Sequence, residues 1–384
     1  MSGPVVLRGS SWDHARGHAP MVATAAEYER RCDGAVRIQW KPRSLKAFGM
    51  ARVEELAADF DLILIDHPHI GAMAESGAVV PLDELIDMDA LAELAAGSPG
   101  RSHQSYKYGG HLWALAVDAA CQVAAWRPDL ITDAPRTWDE VSELARSGRV
   151  LWPLGDVDSA ASFLSLAALA GHPCGLGQGE FVDRDVGRFA LETMCTVADR
   201  SDPRCLSMNP ISVLDTLSTS DDFVYSPLLF GYVSYSRLDV AGPRVRFGDV
   251  PVVLREPSGA LLGGVGLAVS SKSRATAEAV DYAHYVADPT TQRTLYFRSG
   301  GQPAHASAWT DPEVDRLSGG FFSSTRATIT GAWTRPRHPA FAGFQNEMIA
   351  LFANWRQRAE RPDELLDDLE ALHEQALQGK APGQ

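Results

Sequence analysis

The run Leu62-Ile63-Leu64-Ile65 ends abruptly in Asp66-His67-Pro68-His69, and no other stretch of this chain constrains the fold as tightly. Four apolar residues in a row leave no polar face, which is the pattern of a strand buried on both sides in a parallel sheet. A short helix is expected to follow and to end at Gly77, with Val79-Val80-Pro81-Leu82-Asp83 opening the next element. In open α/β sheets, ligands sit just beyond the carboxyl ends of such strands. Asp66 and His67 therefore stand where a small molecule would be held.

The flanking sequence repeats the alternation. Residues 5–8 and 36–40 read as strands, and 20–31 and 51–59 as helices, the first of them with Met21, Ala25 and Tyr28 on one face. Such a β-α-β-α-β order predicts a parallel sheet with right-handed crossovers. Further on, Gly109-Gly110 is a turn between two extended pieces and 121–126 is a short strand. Thr137 can N-cap a helix with Glu140 at the third position, a capping box. Helices are expected at 159–169 and 183–199, the latter with Phe189, Met194 and Val197 on its apolar face. Strands of a second sheet are expected at 223–225 and 250–254, and an extended glycine-rich piece at 261–269. Helices are expected at 275–286 and 363–377, the last with Leu366, Leu369, Leu372 and Leu377 near one face.

With 384 residues, two lobes are expected. Strand–helix units occur in both halves without a clear break, so the lobes should exchange chain. The net charge of −14 and the absence of long Lys/Arg runs argue against nucleic acid as a partner. No apolar stretch approaches the length of a membrane span. The opening residues carry no basic segment followed by an apolar one, so a cytoplasmic location is expected, with a periplasmic or cell-envelope location as the alternative if a signal was removed. The five cysteines are scattered and form no C-x-x-C pair; free thiols are expected, although Cys195 and Cys205 could pair in an oxidising compartment. No metal, no cofactor and no catalytic residue is expected, because no G-x-S-x-G, H-E-x-x-H or P-loop pattern occurs.

Several segments stand together in a collinear order: Ser11-Trp12-Asp13 after the first strand, the stretch from Asp61 to Asp83, Tyr108-Gly109-Gly110-His111-Leu112-Trp113-Ala114-Leu115, and Pro135-Arg136-Thr137-Trp138-Asp139-Glu140. Later come Gly263-Gly264-Val265-Gly266-Leu267-Ala268-Val269-Ser270, the helix ending at Asp288-Pro289, and Ser299-Gly300-Gly301-Gln302-Pro303-Ala304. In these segments the chain resembles the extracellular solute-binding proteins of ABC importers, in the carbohydrate-binding cluster related to maltose-binding protein. The strand after Asp118 departs from the pattern, with Ala125-Trp126-Arg127-Pro128-Asp129 where the family usually carries a Tyr-Asn pair.

The resemblance implies an α/β, two-lobe periplasmic-binding-protein-like fold of type II, with a ligand cleft between lobes joined by hinge crossings. Lobe one would comprise 1–117 plus 260–307, and lobe two 118–257 plus 312–384. The implied function is capture of a small polar ligand, a sugar or sugar-like molecule, by a monomer that closes on it for ABC permease subunits. The alternative is a cytosolic acid–base enzyme or a ligand sensor on the same scaffold.

The candidate ligand residues are Trp12, Asp13, Asp66, His67, Asp118, Trp126, Tyr232 and Gly264. Carboxylates accept paired hydroxyl hydrogens, and indole faces stack on the apolar faces of a pyranose. Each has a competing role: core packing for Trp12 and Trp126, helix capping for Asp13 and Asp66, and hinge hydrogen bonding for Asp118. Tyr232 and Tyr235 lie in the aromatic–glycine loop FGYVSYSR, and Gly263 with Gly264 permits close backbone approach. Arg298, Arg335 and Arg337 read more readily as surface arginines than as a carboxylate clamp.

Overall fold

A computed structural model describes residues 3–44, 53–155, 157–239, 242, 244–254, 259–358 and 361–378. The expected helix start at 51–52 lies outside the described residues. The chain divides into two compact units: residues 1–119, 263–316 and 337–339 form the first, and 120–262, 317–336 and 340–384 the second.

In the first unit, the strands Val5–Trp12, Val36–Arg43 and Leu62–Ile65 run parallel, in register from Val5 beside Val36 to Trp12 beside Arg43. Leu262–Val269 joins antiparallel on the other side of Leu62–Ile65, with Ile65 beside Gly266. The first strand runs four residues further than expected, through Gly9-Ser10-Ser11-Trp12. Small polar residues hid this extension, yet Ser10 and Ser11 are fully buried. All four side chains of Leu62–Ile65 are buried, a gain of about 1.5–3 kcal/mol each over exposure.

The first helix is Ala15–Arg31, so its start was placed five residues late. Proline is most at home in a helix's first turn, which masks the earlier start. Instead His14 caps the helix, its Nδ1 accepting from the Arg16 amide at 3.1 Å, and Pro20 sits inside. Met21, Ala25 and Tyr28 face the core as the periodicity predicts. Ile70–Ser76 closes at Gly77, whose φ of 63° is the left-handed cap that favours glycine. The Gly109-Gly110 turn joins Lys107–Tyr108 to His111–Leu112 as a small antiparallel hairpin.

In the second unit, the latter part of the strand Leu115–Trp126 pairs antiparallel with Tyr225–Phe230 and Arg246–Gly248. This strand has twelve residues where six were expected at its end. The Tyr225–Phe230 strand was foreseen only at its start, because Pro227 interrupts the pattern. The register shifts between Val123 and Ala125 where that proline falls, a bulge that removes the need for its missing N–H. The expected strand at 250–254 reduces to one bridge, Thr137 beside Val252.

Helices pack around this sheet. Thr137 caps Trp138–Ala145 in the predicted capping box with Glu140. Val157–Leu169 is buried from Asp158 onward, so its serines need partners. Ser162 accepts from the Trp152 indole N–H at 3.0 Å, and Ser165 accepts from the Leu261 amide at 2.9 Å while donating to Gln122. Arg184–Ala198 buries Met194 and Val197 but leaves Phe189 partly exposed. Pro362–Leu377 buries Leu365, Leu366, Leu369 and Leu372; Leu377 is exposed, because it falls in the last turn beyond the packed seam. Two helices were not foreseen: Pro210–Thr219 buries Val213, Leu214 and Leu217, and Phe341–Arg358 adds Phe341, Phe344, Met348 and Phe352 to the core.

Candidate functional site

The parallel strands of the first unit end at one edge of the sheet. Trp12 and Arg43 close their strands side by side, Ile65 closes the third, and the antiparallel Leu262–Val269 begins at the same edge. Asp13 and Asp66-His67 follow the ends of neighbouring strands, and Gly264 lies near the start of the antiparallel strand beside them. Asp13 is exposed, and its amide donates to the Arg43 carbonyl at 2.6 Å. Arg43 itself is half-buried, donates from Nε to the Ser10 hydroxyl at 2.7 Å, and has its pKa lowered by burial. An exposed carboxylate and a partly desolvated guanidinium thus share this edge.

Asp66 ends its strand as a cap: Oδ1 accepts from the His67 amide at 2.8 Å and lies 3.2 Å from His67 Nδ1. Its side chain keeps about a quarter of its surface exposed, whereas His67 is fully buried. Trp12 is buried in the core of this unit, with Gly17 so close beneath the indole that a Cβ there would overlap the ring. Gly264 is partly exposed with φ of +103°, a conformation L side chains rarely adopt.

Asp118 is placed differently. It is only 1% exposed, and both of its oxygens are taken by Arg16: Nε donates to Oδ2 at 2.8 Å and Nη2 to Oδ1. Burial pushes its pKa up, while Arg16 and the Gln302 amide pull it back; the net direction is upward. Arg16 escaped the sequence reading because the helix was expected to begin at Pro20, which left Arg16 outside it. A cation in the first turn of a helix opposes the macrodipole, so it needs a carboxylate from elsewhere.

The remaining two candidates belong to the second unit and lie apart. Trp126 faces Tyr225 at one end of the ladder, while Phe230, beside Gln122, leads to Tyr232 at the other. Four strand residues separate these ends, about 13 Å. Trp126 is partly exposed and packs on Gly248 and the hydrophobic core. Tyr232 is mostly buried, edge-on to Tyr235, whose hydroxyl donates to Asp215 at 2.7 Å. The neighbouring Arg127 is structural: it is buried and pairs with Asp129 and Asp221. Arg337 donates to the carbonyls of Gln104 and Lys107, and Arg335 is buried and donates to Gln345.

A concavity of about 640 Å³ in the second unit contains none of these candidates. Its arginines are engaged: Arg149 with the carbonyls of Asp221 and Asp222, Arg200 with that of Ser142, and Arg204 with Asp202. Among the described residues no cluster of three His, Cys, Asp or Glu could hold a metal, and no helix is long and apolar enough to cross a membrane. The first unit's edge carries an acceptor, a charged donor and a glycine backbone, in the position where α/β sheets commonly hold ligands.

Comparison with known proteins adds an independent line. The pattern of a family described as bacterial extracellular solute-binding protein matches residues 23–319. A maltotriose-binding protein of Pyrococcus abyssi (strain GE5 / Orsay) is 31% identical over 84 residues, 22% of this chain and only 18% of that protein. Maltose-bound MalE3 of T. maritima superposes with a TM-score of 0.82 at 17% identity, over 96% of this chain and 99% of its own. A solute-binding protein of an ABC transporter from Thermotoga lettingae TMO, bound with α-D-tagatose, gives 0.82 at 14% identity, over 98% and 100%. At such identities these likenesses show the fold, the two-lobe type II arrangement expected from the sequence.

Proposed function

Because the chain belongs to the bacterial extracellular solute-binding protein family, we propose that it captures a small polar solute, a sugar or polyol, and delivers it to the permease of an ABC importer on the outer side of the membrane. What supports this reading is that Arg43, Asp13, Asp66 and Gly264 follow one another along the same edge of the first unit's sheet, on four neighbouring strands. Asp13 and Asp66 accept from solute hydroxyls. Arg43 donates to ring or hydroxyl oxygens, and Gly264 brings backbone close.

The magnitudes are adequate. Hydrogen bonds to charged groups contribute about 1.5–3 kcal/mol each, so three or four of them approach the roughly −8 kcal/mol of micromolar binding. Asp118 and His67 are assigned supporting parts, since one is ion-paired in the interior and the other is fully buried. The nature of the solute follows relatives whose names record maltotriose, maltose and tagatose.

Thermal-shift measurements with maltose, maltotriose, tagatose and ribitol test the proposal. A ligand at one hundred times its Kd stabilises by about 2.7 kcal/mol, a shift of several degrees. No shift with any of the four, or conversion of a stabilising compound into product on incubation, would contradict it.

A further inference from the structure

Arg16 and Asp118 are 102 positions apart, both nearly inaccessible, and joined by two bonds from one guanidinium edge, Nε and Nη2, to the two carboxylate oxygens. A buried ion pair is a costly way to gain stability, because desolvation of the two charges offsets most of their attraction. Arg16 also sits at the positive end of its own helix, which raises that cost. The pair must therefore be understood by what it connects.

On one side, Arg16 lies three residues beyond Asp13, in the turn where the His14 amide donates to the Trp12 carbonyl and the Gly17 amide to the His14 carbonyl, each at 2.9 Å. On the other side, Asp118 precedes Ala119, the last residue before the chain passes into the second unit. Ala119 is held from both faces by one residue: its amide donates to the Gln302 carbonyl at 3.2 Å, and Gln302 Nε2 donates to its carbonyl at 2.8 Å. Asp118 also bridges Pro303.

We propose that Arg16 and Asp118 are a positioning pair, which fixes the Trp12–Asp13 turn to the crossing strand so that a solute held at Asp13 is read out at residues 118–120. The solute part of this statement rests on the function proposed above; the mechanical link does not. Lysine cannot substitute, since a single ammonium lacks the planar fork that engages both carboxylate oxygens.

Hydrogen exchange on the full chain tests the link without any ligand, using wild type, Arg16→Lys and the apolar double variant Arg16→Met/Asp118→Leu. The amides of Asp13, His14, Gly17 and Ala119 are expected to exchange at least tenfold faster in both variants, with the double variant melting within a few degrees of wild type. Exchange that stays at the wild-type rate in a folded double variant overturns the proposal, as does acceleration spread evenly over the chain. A calorimetric titration with maltose adds a second reading: the double variant is expected to bind at least tenfold more weakly at unchanged melting temperature, and equal affinity overturns the coupling. If wild type does not bind maltose, the titration uses whichever of maltotriose, tagatose or ribitol stabilises it; if none of the four binds, the sugar assignment falls and the exchange rates alone decide the pair.

Discussion

Arg127 and Asp221 stand 94 positions apart and meet through a 2.9 Å bond from Nη2 to Oδ1. The same guanidinium holds Asp129 in a fork at 2.8 and 2.7 Å, and its Nη1 donates to the carbonyls of Leu217 and Ser220. One buried side chain thus joins the end of the strand Leu115–Trp126 to the segment that follows the helix Pro210–Thr219. Both carboxylates are largely exposed, so solvent screens much of their attraction. The carbonyl contacts carry the larger share. Arg127→Met is expected to cost about 2–3 kcal/mol, read as a lowered urea midpoint with solute binding at the first unit's edge intact.

Histidine burial sets an acid limit. His103 is 5% exposed, and burial, aided by Lys107, lowers its pKa to about 4 from the ordinary 6.5. Above pH 6.5 neither the folded nor the unfolded form carries the proton. As pH falls from about 6.5 to 4, the unfolded chain takes it up and the folded chain does not, so stability is lost across that window. The loss is at most about 3–4 kcal/mol at 1.36 kcal/mol per unit. His305 is lowered by burial as well and adds in the same direction. Melting temperatures between pH 7 and 4 should fall for wild type and fall less steeply for His103→Gln.

Gly17 is where the core and the proposed site meet. A methyl group there would overlap the Trp12 ring, and overpacking of this kind costs about 1–3 kcal/mol. Gly17→Ala is expected to destabilise the first unit and to increase quenching of Trp12 by acrylamide, read against a Trp12→Phe control. An unperturbed variant would show that the indole has room to shift.

The capping box gives a smaller effect. Thr137 accepts from the Glu140 amide at 3.3 Å, and Glu140 accepts from the Thr137 amide at 3.2 Å. Thr137→Ala is expected to cost about 1 kcal/mol, measurable as a shift in urea midpoint with an unchanged slope.

Where the sequence was legible, local chemistry and tertiary context agreed. Leu62–Ile65 reads as a buried strand because four apolar residues in a row leave no face for solvent, and Thr137 with Glu140 reads as a helix start because the two side chains satisfy each other's amides. The long strand Leu115–Trp126 was illegible in its first half for a physical reason. Its alanines have little preference for a strand, and Asp118 looks like a break until Arg16 is known to neutralise it. The start of the first helix was hidden by Pro20, and the strand Tyr225–Phe230 by Pro227 and its bulge. Of the site, the strand-end carboxylates could be read from position alone. Arg43 and Arg16 could not, since their roles come from register and from a partner far along the chain.

The central claim is that a polar solute is held at the edge where Asp13 stands beside Arg43. Isothermal titration of wild type and Asp13→Ala with maltose, maltotriose and ribitol tests it most directly, because Asp13 is exposed and its replacement should not disturb the fold. The account predicts saturable binding of at least one of the three by wild type at micromolar Kd. It also predicts at least a tenfold loss in Asp13→Ala, about 1.4 kcal/mol, at unchanged melting temperature. Equal affinity in the two proteins, or no binding of any of the three by wild type, would contradict it.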